Sequence, residues 1–221
     1  MFRIENYIDS LTQKLKTAFG ERLTYIGLQG SYLRGEATAD SDIDIMAVID
    51  NLTVEDLKAY QNILVSIGNF GKSCGFICSK NDLRNWNPLE ICHLLHTTKD
   101  YYGTLKKLVP EYSAEDERNF IKLSLNNLYH ELCHRYIHAE RDYNISKFPT
   151  TCKSVFFILQ NMHYLNSGDF VMTKHELLDC IQGKDKAVLE LSISLQNNSN
   201  YDFDKAFRLL FDWCQSSLQG M

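Results

Sequence analysis

Residues 23–50, LTYIGLQGSYLRGEATADSDIDIMAVID, constrain this chain more than any other stretch. Gly30-Ser31 is followed, after ten residues, by Asp42-Ile43-Asp44, with an apolar run on either side. Strand side chains alternate with period two, so Asp42 and Asp44 project to one face and Ile43 to the other. Like charges on one face repel, and packing alone gives no reason to place them there. A bound cation removes the repulsion. Paired carboxylates suit a hard divalent ion, and a small Gly-Ser turn lets backbone N–H groups approach phosphate oxygens. The pattern implies Mg²⁺ held against a triphosphate on a strand–turn–strand unit.

The rest of the composition narrows the setting. With 221 residues the chain is long enough for one large domain or two small ones. A net charge of −5 argues against a broad nucleic-acid footprint, yet admits a nucleotide whose charge a metal neutralises. No apolar run approaches the roughly 18 residues of a membrane span. The N-terminal MFRIENYIDSL carries Glu5 and Asp9 in a helical pattern and lacks the apolar core of a signal peptide. Seven scattered cysteines fit buried thiols in a reducing cytoplasm, and Cys74 and Cys78 read as core.

Organisation changes near residue 110, giving expected domains of 1–108 and 109–221. Before the boundary the elements alternate. Ile4, Tyr7, Ile8, Leu11, Leu15 and Phe19 make one helical stripe over 2–18. Strands are expected at 23–28 and 43–49, the second central in its sheet because it is nearly all apolar after Asp44. Thr53 with Asp56 caps a helix through Ile67. Residues 73–78 form a third strand, Ser79 with Asp82 caps a short helix, and Pro88 opens another through Leu95. After Pro110 only helical patterns remain. Ser113 with Asp116 starts a long helix to about Asp142, Thr151 starts one through Leu165, Thr173 with Glu176 caps a third, and Asp202 begins the last, ending near Leu218. Asn197 to Asn200 read as a polar loop. Four or five such helices make a bundle.

Gly30-Ser31-x10-Asp42-Ile43-Asp44, flanked by two strands, resembles the signature of the DNA polymerase β-type nucleotidyltransferase superfamily. The small α/β part followed by helices is similar to its aminoglycoside- and lincosamide-type members. The resemblance implies an α+β fold: a small mixed sheet with flanking helices, then an all-α bundle. It implies an enzyme moving a nucleoside monophosphate, AMP from ATP or its counterpart from another NTP, onto a hydroxyl of a small molecule or protein. Gly30 and Ser31 would hold the β- and γ-phosphates, with Arg34 in the same turn. Asp42 and Asp44 would bind Mg²⁺ or Mn²⁺. Members of the superfamily usually carry a third acidic residue on a later strand, and residues 73–78 contain none. The same residues are therefore also compatible with a degenerate nucleotide-binding or regulatory protein.

The helical half holds a second constellation. His130-Glu131-Leu132-Cys133-His134 matches H-E-x-x-H, with His138 one turn further on. It reads either as a zinc hydrolase site, with Glu131 as base, or as a polar stripe on a long helix. A third reading places Glu131 as the base that activates an acceptor hydroxyl, with His134 as the alternative. Lys153 begins an apolar helix and is a candidate for the triphosphate, against a plain surface role. Tyr129, Tyr136 and Tyr143 recur every seven residues as a packing stripe, and Trp86 and Trp213 read as core or interface. The expected partners are an NTP and a hydroxyl-bearing acceptor, with no membrane and no nucleic acid. A homodimer is left open, and the expected location is the cytoplasm.

Overall fold

The computed structural model describes residues 3–197 and 201–221. The chain divides into two compact units, Met1–Tyr112 and Ser113–Met221.

The first unit is built on a five-stranded mixed sheet. Its elements are α1 (Ile4–Phe19), β1 (Leu23–Leu28), α2 (Gly30–Arg34), β2 (Ile43–Ile49), α3 (Val54–Ile67), β3 (Ser73–Cys74), β4 (Ile77–Cys78), α4 (Lys80–Arg84), α5 (Pro88–His96) and β5 (Lys99–Tyr102). The sheet order is β3-β2-β1-β5, and β4 also pairs with β2. β1 runs antiparallel to β2 and to β5, whereas β3 and β4 run parallel to β2. β2 is thus paired on both edges, as its apolar run requires. Ile43, Ile45 and Ile49 face a core with Tyr7, Ile8, Leu11 and Leu15 of α1. Met46 and Val48 face the opposite core with Tyr25, Leu83 and Leu105. Each such buried aliphatic side chain contributes about 1.5–3 kcal/mol.

Three features of this unit depart from the sequence reading. The expected strand over 73–78 is broken into β3 and β4, with the ladder carried across the break by Phe76 N–H to Ile45 O at 3.3 Å and Ala47 N–H to Phe76 O at 2.9 Å. The Gly30-Ser31 turn is a short helix, α2. β5 was not expected, because Lys99-Asp100-Tyr101-Tyr102 has no apolar alternation; its place is set by pairing with β1.

The α3 start follows its sequence signal. Thr53 and Asp56 form a reciprocal capping box, an arrangement that contributes about 1 kcal/mol. Asp56 is 8% exposed and receives both Arg22 guanidinium nitrogens, at 2.7 and 2.9 Å. Arg22, followed by the Thr53 hydrogen bonds, holds the Asp56 carboxyl far below the usual carboxylate range. A depressed carboxylate stabilises the fold fully above its unfolded value and loses that contribution as pH falls. The urea midpoint is therefore expected to drop on acidification below about pH 4, where an unfolded aspartate titrates. Asp56→Asn should lower the midpoint at neutral pH and flatten the acid limb; parallel curves for the two proteins would refute the linkage.

The second unit is helical throughout: α6 (Ala114–His138), α7 (Arg141–Thr151), α8 (Lys153–Ser167), α9 (Lys174–Cys180), α10 (Gly183–Asn197) and α11 (Phe203–Gly220). Ile121, Leu125, Leu128 and Leu132 line one stripe of α6 and pack with Phe156 and Leu159 of α8 and Leu210 and Trp213 of α11. The long helix expected to reach Asp142 ends at His138, and α7 is a separate helix between the two expected from sequence. Thr151 closes α7 instead of opening α8. α10 was likewise missed. Asn197 ends α10, and the other residues of the expected polar loop, Asn198 to Asn200, lie outside the described residues. Among the described residues no helix is long and apolar enough to cross a membrane.

Candidate active site

The strand–helix–strand unit from β1 to β2 brings the carboxylate pair against the Gly-Ser segment. Gln29 N–H donates to Asp44 O at 2.9 Å, continuing the β1–β2 ladder one step past the strand end. Gln29 is the N-cap of α2, and Gly35, left-handed at φ 71°, closes it. Beyond it, Thr38 N–H donates to Ser41 Oγ at 2.8 Å, and Lys72 Nζ donates to Ala39 O. These bonds shape the loop that delivers Asp42 to the start of β2. Asp42 is exposed, Ile43 is 1% exposed and Asp44 is partly buried. The alternation read from sequence is the alternation observed.

Gly30 and Asp44 fit each other closely. Gly30 has φ +67°, and a Cβ there would overlap the Asp44 carboxylate, lying 2.8 Å from Asp44 Cγ. Only glycine lets the carboxylate lie against the start of α2. Oxygen donors of this kind suit Mg²⁺ or Mn²⁺. Among the described residues no three His, Cys, Asp or Glu side chains gather into a metal-holding group. A pair of carboxylates alone would leave further positions to phosphate oxygens and water, a division Mg²⁺ accepts.

A thiol lies beside Asp44. In the parallel β2–β3 pairing Asp44 is opposite Cys74, so the two side chains share a face. Cys74 is exposed, which corrects its reading as core; Cys78 is buried as expected. Partial burial, then the Asp44 carboxylate that accepts its hydrogen bond, hold the Cys74 thiol above its ordinary range. Burial pushes the Cys78 thiol up to about 12. Pairing register, invisible in sequence, is what places Cys74 beside the carboxylates.

The remaining candidates are placed as follows. Ser31 lies in the first turn of α2. Arg34 Nε donates to Glu36 Oε2 at 2.9 Å, so its guanidinium is already paired within the same segment. Glu131 and Lys153 belong to the helical unit. Glu131 pairs with Arg135 and accepts from Thr151 Oγ1 at 3.1 Å. Lys153 is exposed in the first turn of α8. Tyr136 and Tyr143 are each 54% exposed, so the seven-residue tyrosine stripe is not a buried one, and Tyr143 lies on a different helix. Trp213 is core.

This architecture is shared with a solved enzyme. The spectinomycin adenyltransferase of Enterococcus faecialis, solved with ATP and spectinomycin, superposes with a TM-score of 0.61 over 98% of this chain and 100% of its own, at 13% identity. That likeness establishes the fold. Sequence establishes the family. The nucleotidyltransferase domain family matches residues 8–91. A candidate protein adenylyltransferase of Methanocaldococcus jannaschii is 33% identical over 106 residues, spanning 45% of this chain and 71% of that protein. The chain belongs to the nucleotidyltransferase domain family, and it is an enzyme of nucleotidyl transfer.

Proposed function

We propose that the enzyme transfers AMP from ATP to a hydroxyl of a small molecule or protein, using Mg²⁺ or Mn²⁺ held by Asp42 and Asp44. The observation that carries this reading is the fit of the Asp44 carboxylate against Gly30. Packing gains nothing from a glycine-gated carboxylate pair, whereas a metal–triphosphate needs both the charge and the open backbone. The acceptor class is supported by the two relatives, one named for a protein acceptor and one for spectinomycin.

The reaction forms a bond from the acceptor oxygen to the α-phosphorus and breaks the bond from that phosphorus to the bridging oxygen, releasing pyrophosphate. The bound cation supplies charge neutralisation at the phosphates. Asp42 and Asp44 fix its position, and Ser31 donates to the phosphates from its hydroxyl and backbone N–H. Arg34 would serve the triphosphate by exchanging Glu36 for phosphate, and Lys153 is the second proposed cationic group. Glu131 is the proposed base for the acceptor proton, and in that role it would leave Arg135. The free thiols suit a reducing cytoplasm as the working compartment.

A second reading, nucleotide binding without turnover, draws support from the short ligand set, since among the described residues no third side chain joins Asp42 and Asp44 in a metal-holding group. Labelled ATP with Mg²⁺ and candidate acceptors separates the two. Acceptor-dependent pyrophosphate release is expected for the enzyme; binding of Mg-ATP with no release on any acceptor supports the second reading. Cys74 reports occupancy directly. Maleimide labelling of Cys74 is expected to slow about tenfold when the site is roughly 90% filled with Mg-ATP, with the exposed Cys180 as internal reference. Equal labelling rates at Cys74 with and without Mg-ATP would count against both readings.

A further inference from the structure

The histidines of α6 are not used by the proposed reaction. His130, His134 and His138 are all exposed and stack along one face. The His130 and His134 ring centres are 5.8 Å apart, and those of His134 and His138 are 4.9 Å apart. Two imidazoles sharing one ion, with metal–nitrogen bonds of about 2.0–2.1 Å and a near-tetrahedral angle, have ring centres about 5 Å apart. The His134–His138 pair already has that spacing. The His130–His134 pair is wider.

The H-E-x-x-H reading as a hydrolase does not fit these residues. A catalytic zinc takes three protein ligands and leaves a base free to act on water. Here no third ligand gathers among the described residues. What remains is a pair of imidazoles on consecutive turns of an exposed helix face. Imidazole favours borderline divalent transition ions over Mg²⁺.

We propose that His134 and His138 bind a divalent transition ion, Zn²⁺ or Ni²⁺, at a site separate from the Asp42–Asp44 pair. Water completes the coordination, so the ion exchanges freely. Its occupancy clips the last two turns of α6, and binding only the folded helix raises the stability of the helical unit.

The test is titration of the full, EDTA-stripped chain with Ni²⁺ by calorimetry, together with broadening of histidine ring signals in NMR. His134→Ala and His138→Ala are each expected to weaken the binding about tenfold or more, the scale on which metal sites respond to loss of supporting groups. His130→Ala should leave affinity within about twofold, since it belongs to the wider pair. All three side chains are exposed, and circular dichroism checks that each variant stays folded. Thermal unfolding should rise with Ni²⁺ in the wild type and not in His134→Ala. Unchanged Ni²⁺ affinity in His134→Ala would overturn the site, and so would a loss in His130→Ala as large as in His138→Ala.

Discussion

Asp44→Asn is expected to reduce nucleotidyl transfer by about a thousandfold or more, corresponding to about 4 kcal/mol of lost transition-state stabilisation. The substitution keeps the shape of the side chain and the backbone bond from Gln29 to Asp44. It removes one of the two negative charges that the proposed metal site provides, and a neutral amide is a poor ligand for a hard cation. Stability should move the other way. Like charges on one face add nothing to the fold, so neutralising one is expected to leave the urea midpoint unchanged or slightly higher. Activity lost while stability is kept or gained is the signature of a residue retained for chemistry and not for folding. Turnover within tenfold of wild type, measured as pyrophosphate release, would sink the assignment.

Gly30→Ala is expected to be the second most damaging change, by a different route. At φ +67° an alanine costs about 1–2 kcal/mol, and its Cβ would displace the Asp44 carboxylate. A displacement of roughly 1 Å at a reacting centre costs on the order of a hundredfold in rate. Gly35→Ala is the control. Its φ of +71° is similar, but nothing lies within 4 Å of the added carbon. Both variants should therefore lose comparable backbone stability, and only Gly30→Ala should lose the rate. If Gly35→Ala is as inactive as Gly30→Ala, then strain in α2, and not the position of Asp44, explains the effect.

Local signals in the sequence carried far in both units. The capping boxes at Thr53, Ser79, Ser113 and Thr173 are all present, because a cap is a contact between residues three apart. The ends of β1 and β2 were legible because apolar runs and the Gly-Ser segment bound them. β5 was not, since a strand at the sheet edge with a half-polar sequence owes its form to its partner. The α6–α7 boundary was hidden for a related reason: residues 139–140 carry neither glycine nor proline, and the helix end there is a backbone turn at Ala139 with extended φ and ψ.

The sequence by itself determined the carboxylate pair, its period-two geometry and the Gly-Ser segment beside it, because all of these follow from spacing along one short stretch of backbone. Tertiary structure alone decided two further matters. It set Cys74 opposite Asp44 through a parallel pairing between residues thirty apart, and it made Gly30 obligatory through the approach of a side chain fourteen residues away. Register and close approach are relations between separate segments, fixed only when the core of Ile43, Ile45 and α1 packs the strands together.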